Sequence, residues 1–94
     1  MDKETAHSLI RKISEVCILT TKHCRQRMAE RNVSMDDIRY VIQRGEVVSL
    51  EESAEHGNWK CTIRGVDIDA EELTFVAAVT EAVTENEVIC ITVF

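Results

Sequence analysis

Three side chains with chemistry to offer stand four residues apart. They are His23, Arg27 and Arg31, in the run KHCRQRMAERNVSMDDIRYVIQRG over residues 22–45. A spacing of four puts them on one stripe of a helix. Cys24 and Met28 lie about 100° further round and begin an apolar stripe. An imidazole exchanges protons near neutral pH, and guanidinium groups grip phosphates and carboxylates through paired N–H donors. Stacking Arg27 over Arg31 costs an isolated helix a few tenths of a kcal/mol. That cost points to an anion nearby: either Glu30, three residues after Arg27, or a ligand. Further along, Lys60 and Arg64 alternate with apolar residues in WKCTIR, and Trp59 offers a ring on which a base can stack. Each residue also has a plain structural role open to it. His23 can bond a neighbouring strand, the arginines can close ion pairs, Trp59 can pack in the core, and Lys60 and Arg64 can be solvated.

The elements that must position these groups are legible from patterning. Glu4–Val16 reads as an amphipathic helix, with Ala6, Leu9, Ile10, Ile13 and Val16 on one side. It can cover a sheet or meet a partner. Cys17–Thr20 is short and β-favouring, and Thr20 or Thr21 caps the next helix, which ends near Arg31. Asn32 suits a left-handed stop. Ser34 caps a third helix, with Asp37 completing a capping box and Gly45 ending it. Strands follow: Glu46–Glu52, Trp59–Val66, Leu73–Thr80 and Val88–Phe94, with a loop at Ser53–Gly57 and turns at Asp67–Ala70 and Ala82–Glu87. Trp59, Cys61 and Ile63 point one way, and Lys60, Thr62 and Arg64 the other. Apolar residues on both faces of Leu73–Thr80 suggest a central strand covered on both sides. Along Val88–Phe94, Ile89, Ile91 and Val93 oppose Cys90, Thr92 and Phe94. Short connections make the four strands an antiparallel meander. The expected fold is α+β: N-terminal helix, short strand, two helices, then the meander.

Bulk properties narrow the function classes. Ninety-four residues make one domain, residues 1–94. Hydrophobic content of 45% and charged content of 30% are those of a soluble globular protein. No run is long enough to span a membrane, and MDKET lacks the apolar core of a signal peptide, so a cytoplasmic location is expected. The net charge of −6 is unevenly placed: residues 1–31 sum to +3 and residues 45–94 to −9. Only the front of the chain has the charge of a nucleic-acid binder. The four cysteines form no CxxC pair, so they read as reduced core residues, with His23 and Cys24 as half a metal site the lesser reading. No cofactor and no metal is expected.

The run HCRQRMAERNVSMDDI, with glycine at 45, resembles the opening of a small bacterial family, domain of unknown function 4258. WKCTIRGVD, LTFVAAV and VICITVF are similar to its strand segments. The likeness covers about residues 17–94 and leaves the helix within residues 1–16 outside. The family's Asp-Gly turn is Asp69-Ala70 here, so that hairpin needs different turn chemistry. The resemblance implies a RelE/ParE-like architecture and a toxin-like role in a toxin–antitoxin pair. It also implies RNA or the ribosome as target and a zinc-finger antitoxin as partner.

Under that implication the site residues take roles. Metal-independent cleavage of RNA through its 2′-hydroxyl needs a base, an acid and a cation on the phosphorane. His23 supplies proton transfer, and Arg27, Arg31 and Arg64 hold phosphate, with Lys60 and Trp59 as further substrate contacts. The second reading is a non-enzymatic interaction module on the same fold. It would work through its N-terminal helix or through Val88–Phe94 as an open edge, either of which can also form a homodimer.

Overall fold

A computed structural model of the chain describes residues 2–15, 18–53, 58–79 and 88–94. The elements are α1 (Lys3–Ser14), β1 (Ile18–Thr20), α2 (Lys22–Arg31), α3 (Met35–Arg44), β2 (Glu46–Ser53), β3 (Asn58–Val66), β4 (Glu72–Val79) and β5 (Val88–Val93). This is the expected α+β order. The turn expected at Ala82–Glu87 lies outside the described residues, as does the Ser53–Gly57 loop beyond Ser53.

Local chemistry fixes the helix ends where the sequence places them. Asp2 caps α1 by accepting the Thr5 amide at 2.7 Å. Thr21, not Thr20, caps α2, and Asn32 ends it in the left-handed region at φ 54°. Ser34 and Asp37 form a complete capping box on α3. Gly45 follows α3 in extended backbone rather than in a left-handed turn. Its reason is space. A methyl group there would sit 2.7 Å from the Val41 carbonyl oxygen and 2.8 Å from that of Arg64. Gly65, opposite, would place its own methyl 3.0 Å from the Gly45 Cα. Two bare backbones touch where α3 turns into the sheet.

The sheet has five strands in the order β1-β5-β4-β3-β2. β2 to β5 pair antiparallel, and β1 lies parallel beside β5. β5 is therefore an interior strand, which corrects the reading of Val88–Phe94 as an open edge. A bulge opposite Val76/Ala77 also breaks the simple alternation expected along β5. Thr92 pairs with Val76 and Cys90 with Ala77, so Ile91 is the extra residue.

All three helices lie on one face of the sheet. Ile10 from α1, Cys24 from α2 and Ile38 and Ile42 from α3 share one buried cluster with Ile63 and Phe75. α1 is thus a cover over the core: Ala6, Ile10 and Ile13 are buried there, Leu9 packs partly buried, and Val16 lies outside the described residues. At its middle, the buried His7 donates from Nε2 to the Ile42 carbonyl at 2.7 Å. That carbonyl is one of those a helix C-terminus leaves unpaired, so α1 caps α3 from outside. β4 is central, as expected, but no described element covers its second face. There Lys60, Thr62 and Arg64 stand beside Ala78, Val76 and Thr74.

The β3–β4 turn shows what replaces glycine. Ala70 takes φ 64°, a region that costs an alanine about 1–2 kcal/mol. Asp67 offsets that cost, its Oδ1 accepting the amides of Asp69 at 2.9 Å and Glu71 at 3.0 Å. Ala70→Gly relieves the strain at some loss of chain entropy. It is expected to stabilise by about 0.5–1 kcal/mol, and calorimetry should find a melting temperature a few degrees higher.

Asp37 ties α3 to this turn. Its carboxylate accepts the Ser34 amide at 2.9 Å, the Ser34 hydroxyl at 3.0 Å and the Ile68 amide at 3.2 Å. The Ser34 amide is the main cause holding its pKa below the usual carboxylate value, against the opposing effect of burial. A depressed folded pKa stabilises above the unfolded value and is lost as pH falls through the folded one. Asp37→Asn should therefore cost about 1 kcal/mol at pH 7 and progressively less below about pH 4. Urea titrations at pH 7 and pH 3 check this; an equal cost at both rules out the ionised cap.

Candidate functional site

α2 is held by its first residue boundary. The Thr21 hydroxyl accepts the Cys24 amide at 3.0 Å and donates to the Ile91 carbonyl at 3.2 Å. Ile91 is the residue that the β5 bulge leaves without a β4 partner. One hydroxyl therefore starts the helix and satisfies the bulge, and α2 is seated along β5 and β1. Cys24 is fully buried beneath it, and Met28 packs partly buried against the same cluster.

The predicted stripe flanks this buried line. His23 and Arg31 are exposed, and among the described residues neither has a hydrogen-bond or ion-pair partner. Arg27 is half-buried, and its Nη1 lies 3.3 Å from Glu30 Oε2. Both side chains of that pair are more than a third exposed, so it contributes little to stability. Glu30 is thus the internal anion for Arg27, while Arg31 is left to solvent. Successive members of the stripe stand roughly 6 Å apart. Lys22 is also exposed, and the first turn of α2 holds no acidic residue. Cations there meet the positive end of the helix dipole, a mildly unfavourable placement that an external anion would relieve. Arg25 is turned back, donating from Nη1 to the Thr20 carbonyl at 2.7 Å.

The strand residues do not join this stripe. Lys60 and Arg64 are exposed on the face opposite the helices, where the register sets them across from Glu51 and Glu46. Trp59 pairs with Val79 on the helix side and packs partly buried against the core. The structure thus brings together His23, Arg27 and Arg31 and leaves Lys60, Arg64 and Trp59 elsewhere. The alternation of WKCTIR already carried that signal, since helices must cover the apolar side. His7 is a buried polar residue, bonded to the end of α3, that the sequence reading leaves unassigned. Its place three residues before Ile10 marks it as inward-facing.

Two of the cysteines behave differently. Cys61 is buried and free, and burial pushes its thiol up to about 11. Cys24 is disulfide-bonded, which corrects the expectation of four reduced thiols. A buried half-cystine packs as a small apolar group just as a thiol does, so patterning does not separate the two. It also removes Cys24 as a thiolate ligand beside His23. Among the described residues no group of His, Cys, Asp and Glu is placed to hold a metal, and no helix is long and apolar enough to cross a membrane. A shallow groove along α1, lined by Glu4, Thr5, Ser8, Leu9 and Lys12, contains none of the stripe residues.

A family model described as Domain of unknown function (DUF4258) matches residues 20–94. The chain belongs to this family. The DUF4258 match begins at the end of β1, so it includes α2 with its stripe and the whole meander. It leaves out α1, although α1 supplies buried core residues. Comparison with curated proteins and with solved structures finds no match.

The Thr21 junction yields a test of how α2 is held. Thr21→Val keeps the shape and loses both bonds, so it should destabilise by about 2 kcal/mol, whereas Thr21→Ser should cost well under 1 kcal/mol. Denaturant unfolding of the two variants measures the difference.

Proposed function

We propose that this protein engages the sugar–phosphate backbone of RNA through α2. In this reading it is the toxin-like member of a toxin–antitoxin pair and cleaves RNA without a metal. One observation carries it. Among the described residues His23 and Arg31 reach solvent unpartnered on the same stripe, with Arg27 between them in a weak exposed pair. Arg27 and Arg31 hold successive phosphates through bidentate N–H contacts, and His23 transfers the proton at the 2′-hydroxyl or the leaving oxygen. Two neighbouring features support the ridge as an anion site: exposed Lys22 and the lack of acidic residues in the first turn. Lys60, Arg64 and Trp59 take no part in this reading, because the sheet separates the two cations from α2 and the indole packs partly buried against the core. The family's implied zinc-finger antitoxin would hold the protein inactive.

Two measurements test this. Induced expression should arrest growth, and His23→Ala and Arg31→Ala should relieve arrest with melting temperatures within about 2 °C of wild type, since both side chains are exposed. Binding of a single-stranded RNA should weaken with salt at a log–log slope of about 1.4 for the two arginines, reduced by about 0.7 for each one replaced. Cleavage should persist in a chelator. Harmless expression together with intact RNA would remove the enzyme, and a salt slope unchanged in Arg31→Ala would remove the ridge.

A further inference from the structure

The sheet has two edges, and they are built differently. At the first, β1 is three residues long, and just past its pairing with β5 the Ile91 carbonyl is taken by Thr21. That edge is short and closed by side-chain chemistry. At the second, β2 runs eight residues and pairs on one side only, with β3. α1 packs against β2, yet among the described residues no backbone hydrogen bond joins β2 to anything but β3. Alternate amides and carbonyls of β2 therefore face outward.

Edges of this kind are usually blunted by charged side chains, proline, bulges or extreme shortness. The sequence of β2, EVVSLEES, has no lysine or proline; its guards are a bulge at Val48 and charges of one sign only. Its charges are Glu46, Glu51 and Glu52, all exposed. Arg64 and Lys60 stand across from Glu46 and Glu51 in the register, but among the described residues neither closes an ion pair, and Glu52 faces Trp59. The three carboxylates are thus uncommitted. They discriminate between occupants. A second copy would bring three carboxylates against three, and antiparallel pairing about Ser49 would set Glu46 across from Glu52, like charge on like. RNA is repelled. An extended strand carrying Lys or Arg at alternate positions is attracted on both faces, and Val47, Val48 and Leu50, each only half-buried, offer it apolar contacts.

We propose that the outer edge of β2 is a docking edge for an extended, Lys/Arg-bearing segment of a partner protein, which adds to the sheet as a sixth strand. α2 lies along β5 and β1, at the far side of the sheet, so the edge operates independently of any RNA on the helix.

Hydrogen exchange on the full chain tests this with three blocked nine-residue peptides. One alternates lysine and valine, the second replaces each lysine with glutamate, and the third keeps the lysines but replaces two central valines with proline. The lysine–valine peptide should slow exchange of outward amides within residues 46–53 by tenfold or more, and leave α2 unchanged. The glutamate peptide should give less than twofold, and the proline peptide should lose the effect because it cannot form a ladder. Glu46→Lys combined with Glu51→Lys and Glu52→Lys should reverse the preference between the lysine and glutamate peptides. No protection at millimolar lysine–valine peptide overturns the proposal. So does equal protection by the proline peptide, which would mean charge attraction without strand addition. Self-association of the free protein through β2, seen as concentration-dependent protection of the same amides, would assign the edge to a second copy instead.

Discussion

A single hydroxyl decides where the cationic helix goes. Thr21 Oγ1 accepts from the Cys24 amide, one of those the first turn of α2 leaves free, and donates to a carbonyl that the β5 bulge has released. Neither partner has an alternative nearby in the ladder. A bulge exposes a backbone group, and a helix start exposes others; placing one over the other satisfies both with one side chain. The direction of α2 follows from this, and with it the side on which His23, Arg27 and Arg31 emerge. Burial of Cys24 and Met28 then fixes the rotation of the helix about its axis.

α3 is constrained at both ends in a related way, but by other elements. Asp37 at its start reaches the β3–β4 turn through the Ile68 amide, and Ile42 near its end receives His7 from α1. Between them Gly45 and Gly65 allow the backbone to meet the sheet without side chains between. The three helices are therefore positioned by polar contacts to specific backbone groups, while apolar burial supplies most of the driving force without choosing the geometry.

Much of this was legible in the sequence, and the gaps have physical reasons. Helix ends were readable because capping depends on residues within three positions: Thr21, Asn32, and Ser34 with Asp37. Strand faces were readable because Trp59-Cys61-Ile63 alternates with Lys60-Thr62-Arg64. Sheet order was not, because the parallel pairing of β1 with β5 spans some seventy residues and leaves no local mark in ILT or VIC. The open edge was accordingly placed on β5 instead of β2. The bulge at Ile91 was invisible for the same reason, since it exists only relative to β4. The stripe on α2 is legible as a stripe, and its separation from Lys60 and Arg64 is implicit in the alternation of WKCTIR, whose apolar side the helices must cover.

The topology also accounts for the segregation of charge. The chain is basic before residue 32 and acidic after residue 44; α1 brings part of the basic stretch onto β2, but the cations of α2 stand apart from the β2 carboxylates. α2 sits over β5 and β1, while Glu46, Glu51 and Glu52 line β2 on the opposite border, with β4 and β3 between. Had β1 paired with β2 instead, the cations of α2 would stand beside those carboxylates and neutralise them. The parallel insertion of β1 beside β5 instead leaves one border of the sheet cationic and the other anionic. Opposite charges on a small domain that remain unpaired lose the attraction they could have made, and at roughly 10 Å screening length each border presents its own field to what approaches. The two borders of the sheet thus present different charge, and the three-residue strand at the α2 border is followed directly by the threonine that sets the helix in place.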